Sequence, residues 1–290
     1  MLTRRIAPPH VPTAWLINSD GVSNGGVSPH EAWIERGIAV HSGGQLYLKK
    51  LQRPRYGDTV FLYVSKVGVV AAGRILDDAP IVVGRAEAVS PLEDEEYHRK
   101  AVWYADLRDA PISAAELREL NVAKPILSLF EVIQGRAGLL ARVDAHAEQI
   151  DLDKISAREN LSATRAQELR WARRGQGKYR EELLNLWGRR CAVTGCDLDA
   201  VLRASHALPW KASTDEQRLN PANGLPLVAT IDALFDRGLI GFGDKGEMLQ
   251  SRALEERHRE LFGLPMSLRL PLTAEQKHFL AKHRKLFALG

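Results

Sequence analysis

Five polar residues in the last third of the chain carry groups suited to hydrolysis: Ser205, His206, Asn223, Asp232 and Asp236. A neutral imidazole, with an ordinary pKa of about 6.5, accepts a proton at neutral pH. Carboxylate oxygens are hard donors of the kind Mg²⁺ prefers. Asp232 and Asp236 stand four residues apart, which puts both on one face of a helix. A proton acceptor and one hard cation can divide the work of a hydrolysis between them. A lone histidine is more often structural than catalytic, so His206 gains its weight from the company it keeps.

That company is Cys191-Ala192-Val193-Thr194-Gly195-Cys196, then Ala204-Ser205-His206-Ala207-Leu208-Pro209-Trp210, then Asn223-Gly224-Leu225-Pro226-Leu227, then Asp232-Ala233-Leu234-Phe235-Asp236-Arg237-Gly238. The order resembles the HNH endonuclease family, in the branch with a Ser-His pair and a Phe-Asp-x-Gly ending, over roughly residues 179–255. The resemblance implies phosphodiester hydrolysis by a ββα-metal unit, with one Mg²⁺ or Mn²⁺ per active site. It makes His206 the general base and Asn223 the residue that ties down the loop so that the imidazole is aimed. It makes Asp232 the helix-borne metal ligand, and Asp236 a ligand, a partner of a ligand or a cap. Ser205 stands where many members place Asp or His as a ligand. A neutral hydroxyl is a weak ligand for Mg²⁺, so the metal would lean on Asp232, the phosphate and water. Some members carry structural zinc on two paired-cysteine knuckles. Here the second pair is missing, which favours buried thiols near a turn at Cys191 and Cys196 over zinc.

Around these residues the chain reads as α+β in two domains: 1–150, a basic helical linker over 151–178, and a nuclease domain over 179–290. Between Lys154 and Arg190 ten basic residues meet four acidic ones, so this segment is +6 and the remainder −2 of the net +4. Such a segment attracts a polyanion; Arg170, Arg173, Arg174 and Lys178 are its candidate phosphate contacts, with a solvated helical face as the plain alternative. Gly175-Gln176-Gly177 breaks the segment, and Tyr179, Leu183 and Trp187 then recur every four residues as one apolar helical face. Two cysteines rule out a disulfide framework. The start, Met1 to His10, lacks the apolar core of a signal peptide, and no stretch approaches the ~20 apolar residues of a membrane span, so a cytoplasmic location is expected.

The first half is β-rich, with apolar runs at Ala14–Ile17, Thr59–Val64 and Val69–Leu76. The last two are joined by a hairpin turn, and Leu127–Ile133 is a further strand candidate. Ser113 and Glu116 have capping-box spacing. The pattern Trp15-Leu16-Ile17-Asn18, Trp33, Tyr56-Gly57-Asp58-Thr59-Val60-Phe61-Leu62-Tyr63 and Gly68 to Gly73 looks like an EVE domain of the PUA-like superfamily over residues 12–145. This resemblance implies a small β-barrel that binds modified or flipped bases. A pocket for an extruded base needs aromatic faces and fixed polar edges. Trp15, Trp33 and Trp103 are the candidate faces, Asn18 and Ser19 the candidate edges; filling the barrel core is the competing role for each tryptophan. Trp33, after Ser28-Pro29-His30-Glu31, reads as a loop residue at a pocket rim.

Together the two resemblances imply a reader fused to a cutter. That combination looks like a modification-dependent, type IV-like restriction endonuclease acting on double-stranded DNA with 5-methylcytosine or 5-hydroxymethylcytosine, such as phage DNA, with a homodimer favoured for double-strand cleavage. A repair or mobile-element HNH nuclease is the alternative within the class. A modified-nucleic-acid binding protein with an inactive nuclease fold is the alternative outside it.

Overall fold

The structure, a computed structural model, describes residues 13–19, 29–89, 95–122 and 128–290. The reading of Met1–His10, the residue Ser28 and the first residue of the Leu127–Ile133 strand candidate lie outside them. Two compact units divide the chain, residues 1–150 and 151–290. Among the described residues no helix is long and apolar enough to cross a membrane.

Unit 1 contains, in chain order, β1 (Ala14–Asn18), α1 (His30–Arg36), β2 (Ile38–Ser42), α2 (Gln45–Leu51), β3 (Thr59–Val64), β4 (Gly68–Ile75), β5 (Ile81–Gly84), β6 (Glu95–Asp106), α3 (Ala114–Glu119), β7 (Leu129–Glu131) and α4 (Arg136–Ser156), whose last turns belong to unit 2. Its sheet is a curled half-barrel in the order β2-β6-β4-β3-β1-β7, with β5 beside β6. β1 lies parallel to β3 and antiparallel to β7, so both its edges are paired, and its two faces enter two cores, Trp15 and Ile17 one and Ala14 and Leu16 the other, which is why it reads as a continuous apolar run. β3 and β4 form the expected antiparallel hairpin, and all of β4 is buried. Ser113 and Glu116 close a reciprocal capping box on α3.

The first half of the long strand β6 lacks an apolar signature because its buried positions include the paired residues Glu96, His98 and Arg99. His98 Nε2 lies 2.8 Å from Glu96. Arg99, fully buried, donates to the carbonyls of Leu51 and Pro54 and pairs with Asp77. At the start of β3, buried Asp58 accepts from the backbone of Thr13 and Arg55 and from the Trp15 indole, so the Gly57-Asp58 opening of that strand is a hydrogen-bonded staple.

Unit 2 continues with α5 (Ala163–Arg173), α6 (Gly177–Leu186), β8 (Leu202–His206), α7 (Asp215–Leu219), β9 (Gly224–Val228), α8 (Ala229–Asp236), β10 (Ile240–Phe242), β11 (Met248–Gln250), α9 (Glu256–Phe262) and α10 (Ala274–Phe287). β8 and β9 pair antiparallel, with Leu202 opposite Val228 and His206 opposite Gly224, and α8 follows at once. This is the ββα order expected from the sequence. The expected linker over 151–178 is corrected: Ile155, Ala166, Leu169 and Ala172 are buried in the same core as Tyr179, Leu183, Trp187 and Phe235, so the segment is an integral layer of unit 2. Its apolar positions are few and spaced among arginines, which hides the buried stripe in an otherwise basic sequence.

Candidate active site

Alternation along β8 distributes the candidate residues between two neighbours. Ala204 and His206 face α5 and α6, where the bare Cα of Gly175 abuts Ala204 and the Tyr179 ring stacks on His206 at 4.4 Å with a 6° interplanar angle. Ser205 points the other way, its hydroxyl 3.2 Å from Asp236 Oδ1 on α8.

His206 is held on three sides. Tyr179 stacks on one face and the Trp210 indole approaches edge-on at 5.7 Å. Nε2 donates to the carbonyl oxygen of Arg218 at 2.9 Å. A carbonyl only accepts, so Nε2 carries the proton and Nδ1 keeps its lone pair. Desolvation pushes the imidazole down to about 4, with the Arg173 and Arg218 guanidinium groups adding to the shift and the Arg218 carbonyl opposing it. The ring is therefore neutral at neutral pH, the state a proton acceptor requires.

Asn223 is fully buried and spends its amide on the loop that follows β8. Oδ1 accepts from the Leu208 N–H at 2.7 Å, and Nδ2 donates to the Gln217 carbonyl at 3.0 Å and to Ser213 Oγ at 3.4 Å. The loop thus pinned ends in α7, whose Arg218 supplies the acceptor for His206. Arg218 reinforces the pinning by donating twice to the Trp210 carbonyl and lying over the Trp210 ring at 4.7 Å. Next to Asn223, a Cβ on Gly224 would come 2.3 Å from the Tyr179 hydroxyl and 2.9 Å from the Ser205 carbonyl, so only glycine fits there.

On the opposite side α8 buries Ile231, Leu234 and Phe235 and turns Asp232 and Asp236 towards Ser205. Desolvation holds the Asp232 carboxyl above the usual carboxylate range, opposed by the Ser205 hydroxyl and by Arg203. Burial pushes the Tyr179 phenol up, and the nearby Asp236 carboxylate pushes it further. The structure thus sets His206 against Tyr179, Trp210 and the Arg218 carbonyl on one face of β8, with Asn223 holding the loop that follows, and sets Ser205 with Asp232 and Asp236 on the other.

Residues 191–243 match the family model for the HNH endonuclease. This stretch is an HNH endonuclease domain. The match spans Cys191 to Gly243 and includes all five candidate residues, whereas Tyr179 on α6 precedes it. The Cys191–Cys196 turn that opens the HNH domain holds two free thiols, Cys191 buried and Cys196 half-buried, and closes by a Cys191 N–H to Cys196 carbonyl bond of 2.8 Å. Among solved structures, a hypothetical protein from Leishmania major is 17% identical, with a TM-score of 0.33, covering 48% of this chain and 97% of that one. The human THYN1 protein in complex with DNA containing 5-methylcytosine is 15% identical, with a TM-score of 0.32, covering 45% and 96%. The DUF55 domain of human thymocyte nuclear protein 1 is 15% identical, with a TM-score of 0.30, covering 45% and 97%. No curated protein matches the chain.

The four basic candidates sit unequally. Arg173 pairs with Asp151 at 2.7 Å and reaches over the Trp210 ring, and Arg170 donates to Ser156. Arg174 and Lys178 are exposed, with Lys178 only 3.7 Å from Glu182 in a surface pair.

In unit 1, Trp15, Trp33 and Trp103 all lie in one buried core cluster. Trp33 is on helix α1, which corrects its reading as a loop residue: His30–Arg36 forms two turns that bury Trp33 and end at Gly37 in the left-handed conformation. The Trp15 indole donates to Asp58, and the Trp103 indole donates to the carbonyls of Trp33 and Ile38. Asn18 Nδ2 donates to Ser65 Oγ, and buried Ser19 donates to the Tyr63 carbonyl.

Proposed function

We propose that this chain is a divalent-metal-dependent endonuclease that hydrolyses DNA containing modified cytosine. The observation that carries the nuclease part is the fixed tautomer of His206, whose Nε2 is committed to the Arg218 carbonyl while Nδ1 keeps its lone pair at the end of β8. In this reading Nδ1 takes a proton from the attacking water, and the Arg218 carbonyl stabilises the imidazolium that results. Asn223 acts by holding the 207–217 loop in place. The oxygen donors on the other side, Asp232 and Asp236 with Ser205 between them, suit a hard cation, and a half-buried carboxylate held above its ordinary range is short of positive charge. These three residues would hold Mg²⁺ or Mn²⁺, which when bound neutralises charge on the scissile phosphate and leaving oxygen.

Phosphate and metal contacts carry no sequence information, so selectivity belongs to another part of the chain. The EVE-like sequence pattern supports unit 1 as the reader of 5-methylcytosine or 5-hydroxymethylcytosine by base flipping, with Asn18 and Ser19 at the end of β1 as polar edges and Trp15, Trp33 and Trp103 as core residues that support them. The composite acts as a type IV-like restriction enzyme in the cytoplasm, cutting both strands as a homodimer.

A cleavage assay on duplexes carrying cytosine, 5-methylcytosine or 5-hydroxymethylcytosine, with Mg²⁺, Mn²⁺ or chelator, tests this directly. Metal-dependent cutting with a preference for one modified duplex is expected. Equal cutting of all three would leave the nuclease and remove the reader, and binding without cutting under any metal would make the domain an inactive fold.

A further inference from the structure

Of the six tryptophans, five are at most 8% exposed, and Trp171 is 44% exposed. A large apolar ring left in water asks for a reason, and its setting supplies one. Trp171 is in the last turn of α5, on the side opposite the buried Ala166, Leu169 and Ala172. Its indole lies over the first residue of α6: a Cβ on Gly177 would come 2.8 Å from the Trp171 Cβ and 3.1 Å from its Cε3. The Gln176 N–H donates to the Trp171 carbonyl at 2.7 Å, so the turn that carries the ring is tight. The same turn meets β8 through Gly175, whose Cβ position is 3.8 Å from the Ala204 Cβ, on the strand face that two residues later presents His206. The ring is thus mounted on the helix pair that also delivers Tyr179 to the imidazole. The ten residues from Trp171 to Arg180 contain Arg173, Arg174, Lys178 and Arg180 and no carboxylate, although Arg173, Lys178 and Arg180 pair with Asp151, Glu182 and Asp199 from outside the stretch. Arg174 and Lys178, exposed, flank the indole in sequence, and Arg203 is exposed on β8. Apolar aromatic surface within a cationic border is the chemistry that nucleic acid complements, since every base offers a π-face and every nucleotide a phosphate.

We propose that Trp171 is a DNA contact of the nuclease unit, its indole stacking on a base of the bound substrate beside the phosphate presented to His206. The proposal rests on the nuclease reading of unit 2 and adds a non-ionic anchor to it. Phosphate contacts release counterions on binding; a stacked ring does not. Removal of the ring therefore weakens binding at every salt concentration by the same factor, whereas removal of a neighbouring cation changes the salt slope.

The test uses the full chain in chelator with a short DNA duplex carrying modified or plain cytosine. Because Trp171 is the exposed tryptophan, the acrylamide-accessible part of the emission reports on it. Saturating DNA is expected to quench that part and shield it from acrylamide. Trp171→Ala is expected to raise Kd by roughly tenfold with an unchanged salt slope, and Trp171→Phe to recover most of the affinity. Full acrylamide access in the DNA complex, or an unchanged Kd for Trp171→Ala, overturns the proposal. If the wild type also cuts DNA in metal, that failure leaves the nuclease reading standing. A wild type that binds no DNA removes both. The fluorescence result on the unaltered chain holds whether or not the variants fold.

Discussion

The two aromatic-rich regions of this molecule use the same side chains to opposite ends. In unit 1, Trp15, Trp33 and Trp103 are absorbed into one core, and the indoles of Trp15 and Trp103 are hydrogen-bonded within it. Around β8, Tyr179 and Trp210 also pack, yet what they pack against is a half-buried imidazole that keeps a lone pair. Aromatic burial alone therefore does not distinguish a site from a core. A fixed imidazole does not suffice either, since His283 stacks on Phe235 and bonds that residue's carbonyl with its Nδ1 left without a partner. The region around β8 differs in lying within the HNH match, with Ser205, Asp232 and Asp236 next to the imidazole's strand.

That contrast is easiest to break in unit 1. Trp33→Ala is expected to destabilise the protein by about 3–5 kcal/mol, as for other buried tryptophans, read as a shift in denaturant midpoint. A stable variant that merely loses preference for modified DNA would make Trp33 a pocket face and erase the difference between the two regions. On the other side, Asp232→Asn is expected to lower cleavage by about 10–100-fold, with partial recovery at high Mn²⁺, because a neutral ligand weakens a metal site without deleting it. Ser205→Ala should be milder in the same assay; equal loss from both would make the hydroxyl a full ligand.

Smaller effects sharpen the picture. Neutralising Arg174 and Lys178 together should lower the slope of log K against log salt by about two units for modified and plain DNA alike. Arg173, committed to Asp151, should instead cost stability when replaced. An unchanged slope would make the exposed pair a solvated surface only.

The smallest effect is acid sensitivity. Burial pushes His283 down to about 4, the Phe235 carbonyl opposing and Arg284 adding to the shift. Between about 4 and 6.5 the unfolded chain binds a proton here that the folded chain does not, so stability is complete above 6.5 and falls as the pH drops through that window. His283→Gln should flatten this part of the pH-stability curve. His41 in unit 1, pushed down to about 4 by burial, should leave a residual slope of the same sign.

The site was legible in sequence where side chains carry the chemistry. Ser205, His206, Asn223, Asp232 and Asp236 announce themselves by type and order, and the strands β1, β3 and β4 by unbroken apolar runs. What was hidden depends on groups without a sequence signature. The Arg218 carbonyl is backbone and could be any residue. Tyr179 reads as one rung of an apolar helix face, and its stack on His206 follows only from the fold. β6 is obscured because Glu96, His98 and Arg99 are buried in paired form, and α5 because only Ala166, Leu169 and Ala172 line its inner face among arginines. Trp33 was misplaced because Pro29 and Gly37 frame a two-turn helix short enough to resemble a loop.

In the proposed reaction His206 supplies the base while the rest of unit 2 holds the DNA. Single-turnover cleavage by His206→Ala, measured beside its DNA Kd at saturating Mg²⁺, tests it most directly. The expected rate is lower by about 10²–10⁴-fold with Kd nearly unchanged. Cleavage at the wild-type rate would contradict it.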